Sequence, residues 1–161
     1  MEDDHESRVT LRAAQPADAA FLGDVYASTR VAELALTDWS DERKTAFCRQ
    51  QFTAQDAHYR QHYPSAQYSI IERDGVAAGR LFVDRWPREI RIMDITLLPD
   101  HRGAGIGTGL LRELMDEAGG AGKALSIHVE KFNPALRLYE RLGFRGKEDK
   151  GVYLLMEWRA A

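Results

Sequence analysis

At 161 residues the chain has the length of one domain, since domains most often run about 100–150 residues, and its 44% apolar content can fill one core. A formal net charge of −3 with both signs interspersed argues against a nucleic-acid partner, whose footprint is normally basic. No run approaches the roughly 20 apolar residues of a membrane span, no charged start leads into a secretory stretch, and Cys48 is the lone cysteine, so the composition reads as a soluble, cytoplasmic protein without internal disulfides or membrane partners.

The opening MEDDHES is acidic and polar and reads as a disordered tail over residues 1–7, ahead of a single domain over 8–161. RVTLRA, 8–13, alternates polar and apolar residues as a half-buried strand does. Pro16 suits a first helical position, and Phe21, Leu22, Val25 and Tyr26 recur at helical spacing, which predicts a helix to about Arg30. VAELALTDW either extends that helix or opens a mobile loop. A second helix is expected from about Ser40 to Gln61, with Phe47, Cys48, Gln51 and Phe52 on its apolar stripe. In YSIIERDGVAAGRLFVD two β-rich runs flank Asp74-Gly75, a hairpin signal.

IRIMDITLL, 90–98, is apolar on both faces, as a covered central strand should be. Ile106, Leu110, Leu111, Leu114 and Met115 then share a helical stripe that GGAG ends. ALSIHVE reads as a strand, and a helix follows from Asn133 to Leu142, with Asn133 as its cap, Pro134 at its first position and Gly143 at its end. GVYLLMEW is a last strand, with a short one near Arg145–Lys147 before it. The succession predicts a mixed α/β (α+β) sheet.

Gly103, Gly105, Gly107 and Gly109 stand where a strand turns into a helix, although glycine weakens a helix by about 1 kcal/mol relative to alanine. A helix start offers free N–H groups and a dipole that favours an anion, and glycines let the backbone approach a phosphate closely. The stretch Arg102–Thr108 therefore reads either as a phosphate cradle or as a connecting turn. It is not a dinucleotide fingerprint: from Gly103 the last glycine position of G-x-G-x-x-G is Thr108, and from Gly105 it is Leu110. Nor is GGAGKA a P-loop, because Ala124 follows Lys123 and Glu117 holds the place of the first glycine.

Arg102-x-x-Gly105-x-Gly107 has the form Arg/Gln-x-x-Gly-x-Gly/Ala, which resembles the acetyl-CoA loop of the GNAT superfamily of N-acetyltransferases. NPALRLYERLGF adds a second match in Asn133, Ala135, Leu138, Tyr139, Gly143 and Phe144, with one residue between asparagine and alanine where many members have two. The resemblance covers roughly Arg8–Trp158 by element order. It implies a mainly antiparallel central sheet with helices on both faces, split by a cleft where the strands from Ile90 and Ala124 splay apart.

It also implies a direct transfer of acetyl from acetyl-CoA, as co-substrate, to the primary amine of a small molecule or peptide. The pyrophosphate would sit on the N–H groups of Gly103, Ala104, Gly105, Ile106, Gly107 and Thr108. The pantetheine arm would run beside the strand ending at Leu97, as an added strand does, with Ile95 and Thr96 lining the channel and the Leu97 N–H holding the thioester oxygen. Tyr139 is the implied acid for the departing sulfur, against a core tyrosine on a helix with Leu136 and Leu142. Asn133 either contacts the cofactor or caps its helix.

The base stays open. His128 has a suitable pKa, about 6.5 when unperturbed. Asp94 is acidic in an apolar strand, and simple alternation places it opposite Leu97 unless a bulge resets the register. Glu33, Glu130 and water are further candidates. Glu33, Asp38 and Trp39 could line an acceptor pocket suited to a cation, or Trp39 could be core. His58 and His62 lie four apart without a third ligand, so no metal is expected. Cys48 reads as packing. A non-catalytic acyl-CoA-binding sensor is the alternative to the enzyme. VYLLMEW is apolar enough to meet a second subunit in a homodimer, or else pairs within its own sheet.

Overall fold

The computed structural model describes residues 8–161, so the acidic opening lies outside the described residues. Seven strands form one sheet in the order β1-β2-β3-β4-β5-β7-β6. They are β1 (Val9–Ala13), β2 (Gln67–Arg73), β3 (Val76–Arg85), β4 (Glu89–Leu97), β5 (Ala124–Glu130), β6 (Arg145–Lys150) and β7 (Tyr153–Trp158). Every neighbouring pair is antiparallel except β4 with β5. Helices α1 (Ala19–Ser28), α2 (Val31–Leu34) and α3 (Asp41–His62) pack on one face, and α4 (Ile106–Ala121) and α5 (Ala135–Arg141) on the other. No helix among the described residues is long and apolar enough to cross a membrane.

The β2–β3 hairpin turns on Asp74 and Gly75, at φ 53° and 81°. Two successive left-handed residues give the turn whose twist matches paired strands, which is why Asp-Gly stands there. In α3 the Ser40 hydroxyl accepts the Arg43 N–H at 3.1 Å, an N-cap that satisfies one orphan donor. The buried residues of α3 are Cys48 and Phe52, and Tyr59 continues their line. Gln51, expected on this stripe, is exposed instead, because the inward row advances from 48 to 52, 55 and 59.

The expected first helix is divided. A 3-10 turn over Pro16–Asp18 precedes α1, which ends at Ser28, and the ambiguous stretch after it forms the single turn α2, anchored by buried Leu34. Helix α4 runs through Gly119 and Gly120 and stops only where Gly122 turns left-handed at φ 66°. Gly119 is useful there: a Cβ would lie 3.4 Å from Ala160 and 3.6 Å from the Trp158 ring. The last strand β7 is not an edge. It pairs with β5 on one side and β6 on the other, with Met156 buried and Tyr153 exposed. Strand β6 is longer than expected, takes the edge, and has all six residues exposed.

Two cores result. Ile92, Leu111, Leu125 and Met156 are fully buried between the sheet and α4/α5. Leu22, Phe52, Ile70 and Phe82 form a second core under α1 and α3.

Candidate active site

Strands β4 and β5 pair only from Glu89/Ala124 to Ile92/Ile127, although β4 continues to Leu97 and β5 to Glu130. Beyond Ile92 the two strands part and leave a cleft in the middle of the sheet. The parting begins at a bulge. On β3 the partner of Val83 is Ile92 and that of Phe82 is Asp94, so Met93 is the extra residue. Met93 and Asp94 consequently face the same way, toward α1 and α3, while Ile95 and Leu97 return to the α4/α5 core. The bulge lies before Asp94 and leaves Asp94 and Leu97 on opposite faces, as simple alternation has them.

The Leu98 N–H donates to Ala78 O at 2.8 Å, which turns the Leu97 N–H and C=O away from β3 and toward the cleft. Gly79 holds this strand end close. A Cβ there would come within 2.1 Å of Thr96 O, so only glycine fits. Arg102 ties the following loop to the strand by donating from Nε to Leu97 O at 2.9 Å.

The loop fits a phosphate. Gly103 and Gly105 adopt φ 79° and 80°, and a Cβ at either would meet nothing within 4 Å, so the backbone borders open space. Gly105 is the N-cap of α4, with no side chain bonded to the helix start. The first intrahelical bond runs from Gly109 N to Gly105 O at 3.0 Å, which leaves the N–H groups of Ile106, Gly107 and Thr108 as bare first-turn donors. Buried Ile106 pins the turn to the core, a Cβ at Gly107 would lie 3.9 Å from the Leu97 side chain, and Ala104 is exposed.

Tyr139 is buried on α5 with its ring edge-on to Phe144 at 5.6 Å. Burial pushes its phenol up to about 12, and the Asp94 carboxylate adds to the rise. Helix α5 starts two residues later than expected, with Pro134 as its N-cap, and Asn133 stands just ahead of it with Oδ1 accepting the Ala135 N–H at 2.9 Å.

The α1/α3 face of the cleft is polar. Asp94 Oδ2 accepts from Arg80 Nη2 at 2.6 Å and its Oδ1 from Thr96 Oγ1 at 2.5 Å. Arg80 is 1% exposed, donates also to Gln55 Oε1 at 3.1 Å, and has no partner among the described residues for Nε or Nη1. Tyr59 lies against Phe82, and burial followed by the Asp94 charge pushes its phenol up to about 12. Below the point of parting, Glu89 accepts from Ser126 Oγ and from Arg91, and Arg91 lies over the Trp86 ring. His128 is the first β5 residue past the last paired one and is solvent-accessible, with Nδ1 3.4 Å from Arg91 Nη1. Partial burial and the Arg91 and Lys150 charges push its pKa below the ordinary histidine value.

The other expected residues stand apart. Glu33 is exposed and pairs with Arg30 at 2.9 Å, and Arg30 lies 3.8 Å from Glu130 at the end of β5. The Trp39 ring meets Phe47 edge-on at 5.3 Å and is already covered by the Arg43 guanidinium at 4.1 Å, so the chain's own cation fills the aromatic face expected for an acceptor. His58 and His62 stack on each other at 4.2 Å. Arg80, Gln55 and Arg91 were not singled out from the sequence. Arg80 and Arg91 each left a signal there, as a lone cation in an otherwise apolar stretch of a predicted strand.

Comparison with known proteins agrees with this geometry. The description of the Acetyltransferase (GNAT) family matches residues 29–144. The L-amino acid N-acyltransferase MnaT of Escherichia coli is 29% identical over 143 residues, covering 84% of this chain and 79% of its own. Streptothricin acetyltransferase of Streptomyces lavendulae is 39% identical over 85 residues, 50% of this chain and 44% of its own. The PaiA N-acetyltransferase of Thermoplasma acidophilum, solved with coenzyme A, shares the fold at TM-score 0.70 and 17% identity over 93% of this chain and 98% of that one. YncA of Salmonella typhimurium, solved with acetyl-CoA, aligns at TM-score 0.58 and 26% identity over 93% and 92% of the two chains. A sheet parted between β4 and β5, a bare helix start at the parting and a family match across most of the sequence lead to one assignment: the chain belongs to the GNAT family of acetyltransferases.

Proposed function

We propose that the protein is an acetyl-CoA-dependent N-acetyltransferase whose acceptor is the primary amine of a small molecule or peptide. The observation that carries this reading is the parting of β4 from β5 beside the uncapped start of α4. Two long-matching relatives bear the names of amino-acid acyltransferases, MnaT and the L-methionine sulfoximine/L-methionine sulfone acetyltransferase of Salmonella typhimurium, which favours a small amino acid as acceptor.

Acetyl-CoA supplies an acetyl group activated as a thioester. The donors of Gly103–Thr108 hold the pyrophosphate, and Ile95, Thr96 and Leu97 line the pantetheine channel. The Leu97 N–H, turned into the cleft, donates to the oxygen where negative charge grows. Tyr139 gives its phenolic proton to the departing sulfur. With its phenol at about 12 it stays protonated through the neutral range, as an acid must before the step. His128, held neutral by its lowered pKa, takes the proton that the amine sheds as nitrogen bonds to the acetyl carbon. Both residues reset through solvent.

Calorimetric binding of acetyl-CoA and of free CoA tests the reading, with Gly105→Trp as the blocked control. Tight binding lost in the variant supports the cradle, and a folded protein that binds neither removes it. An amine screen with Tyr139→Phe follows. The phenylalanine fits the same space, and kcat should fall about 100-fold with acetyl-CoA affinity retained. Binding without turnover in the parent protein would make it an acyl-CoA sensor.

A further inference from the structure

Helix α4 lies over β4 and β5, and among the described residues no helix covers the same face of β1 and β2. Beside the helix the register lines up Ala13, Ser69 and Leu81 across β1, β2 and β3. The small side chains of Ala13 and Ser69 leave the space there unfilled, as a cavity of about 190 Å³ walled by Leu11, Leu81, Leu110 and Leu114. Ser69 lines it from β2. That residue is 2% exposed, and its hydroxyl has no hydrogen-bond partner among the described residues, although buried polar groups nearly always have one. At the rim Arg85 donates from Nε and Nη2 to the two oxygens of Glu117, at 2.5 and 2.9 Å, and from Nη1 to Gln67 at 2.6 Å. Glu117 thus matches the one cation of the lining. Glu113, one turn earlier on α4, also lines the cavity and has no ion pair among the described residues.

We propose that this cavity is a second ligand site, separate from the cleft between β4 and β5, for a small molecule with one compact apolar body, an ammonium group at one end and a hydrogen-bonding group at the other. Size sets the body. An apolar cavity of about 150 Å³ takes a benzene ring, so this one takes a single ring or a branched chain of similar bulk. Charge sets the outer end, because the unmatched Glu113 attracts a cation and repels a carboxylate. The Ser69 hydroxyl sets the inner end, since it can donate to or accept from a polar group brought to it. The cavity flanks α4 from Leu110 to Glu117, whereas the glycine loop lies at the start of that helix. Occupying it requires neither acetyl-CoA nor an acetyl acceptor.

The test is an NMR titration of the full chain, isotope-labelled at its leucine and valine methyls, with N,N-dimethyltyramine, whose tertiary amine cannot serve as an acetyl acceptor. Resonances of Leu11, Leu81, Leu110 and Leu114 should move and those of Leu97, at the cleft, should not. The Kd should be about 0.1 mM, ordinary for a ligand of about twelve heavy atoms. N,N-dimethylphenethylamine, which lacks the phenol, should bind about fivefold more weakly. Hydroxyphenylpropionate, with a carboxylate for the ammonium, should bind about 10-fold more weakly. Glu113→Gln should weaken the amine about threefold, the size of an exposed ion pair. Ser69→Leu fills the cavity and should abolish the shifts. Should that variant fail to fold, Leu11→Lys changes a wall that is 42% exposed, spares the core, and should weaken binding about 10-fold. Hydroxyphenylpropionate binding as tightly as the amine overturns the proposal. So do shifts confined to methyls beside the cleft, unchanged affinity in folded Leu11→Lys, or no shifts at millimolar probe. Shifts that follow protein concentration instead of probe would give the cavity to a second copy of the chain, and overturn it equally.

Discussion

On the face that carries α4 and α5, strands β3 and β5 turn in Leu81, Val83, Leu125, Ile127 and Val129, all buried and all apolar. On the opposite face the same two strands turn in Arg80, Phe82, Asp84, Ser126 and His128. Each buried polar side chain there has at least one partner. Asp84 accepts from the Ser65 hydroxyl at 3.0 Å, Ser126 bonds Glu89, and Arg80 bonds Asp94 and Gln55. The difference shows a division of work within one sheet. The first face supplies most of the packing and anchors the glycine loop after β4, through Ile106, Leu110 and Leu111. The second gives up apolar packing for side chains with chemistry, and the bulge and the parting of β4 from β5 lie where the two requirements meet.

The sharpest way to break this comparison is to remove one charge from the polar face. Asp94→Leu should destabilise the protein by about 3–5 kcal/mol, because it leaves Arg80 buried and unpaired. Arg80→Met/Asp94→Leu should recover a large part of that loss. Denaturant midpoints of the two variants check it, and equal losses would mean that the charges are not coupled. Next comes the apolar face: Leu111→Ala should cost about 3 kcal/mol through the cavity it leaves. Acetyl-CoA affinity of the protein that remains folded should change little, which calorimetry below the unfolding temperature can read.

A pH series sharpens the comparison further. The folded state holds His128 below its ordinary pKa, so the unfolded chain binds more protons near that value. Its contribution to stability is thus present above about pH 6.5 and lost as pH falls. The same group should give kcat/KM an acid limb below pH 6.5, and His128→Gln should remove both effects. A limb that survives the substitution belongs to another residue. The smallest effect is at the rim, where Glu33→Gln breaks an exposed pair with Arg30 and should shift stability by less than about 0.5 kcal/mol. A large rise in the amine KM in this variant would instead return Glu33 to the acceptor site.

Much of the architecture was legible because local signals agreed with one another. Asp74-Gly75 marked the hairpin, Ser40 the start of α3, and the glycines from Gly103 the strand-to-helix turn. Each encodes its geometry within a few residues. The cleft-side features were legible only where they too are local, as in the uncapped start of α4. Arg80 was missed because its importance depends on what lies across the strand: in sequence it is one arginine in a hairpin, and in space it is the buried counterpart of Asp94 fourteen residues away. The bulge at Met93 left no mark either, since an extra residue in β4 is defined by the register of β3. Trp39 erred in the other direction. Its aromatic face looked available until Arg43, one helical turn on, covered it.

The edge strand β6 has a consequence for how the protein behaves at high concentration. Its sequence RGKEDK is fully exposed and carries a charge at five of six positions, of both signs. An open strand edge is ordinarily a template on which a second chain can pair and begin to aggregate, and lysines and mixed charge along it work against such pairing. Each additional strand would have to bring matching charges in matching register to settle there. The sheet is thereby closed to growth on this side without a covering helix, and an assembly of two chains would have to use some other surface.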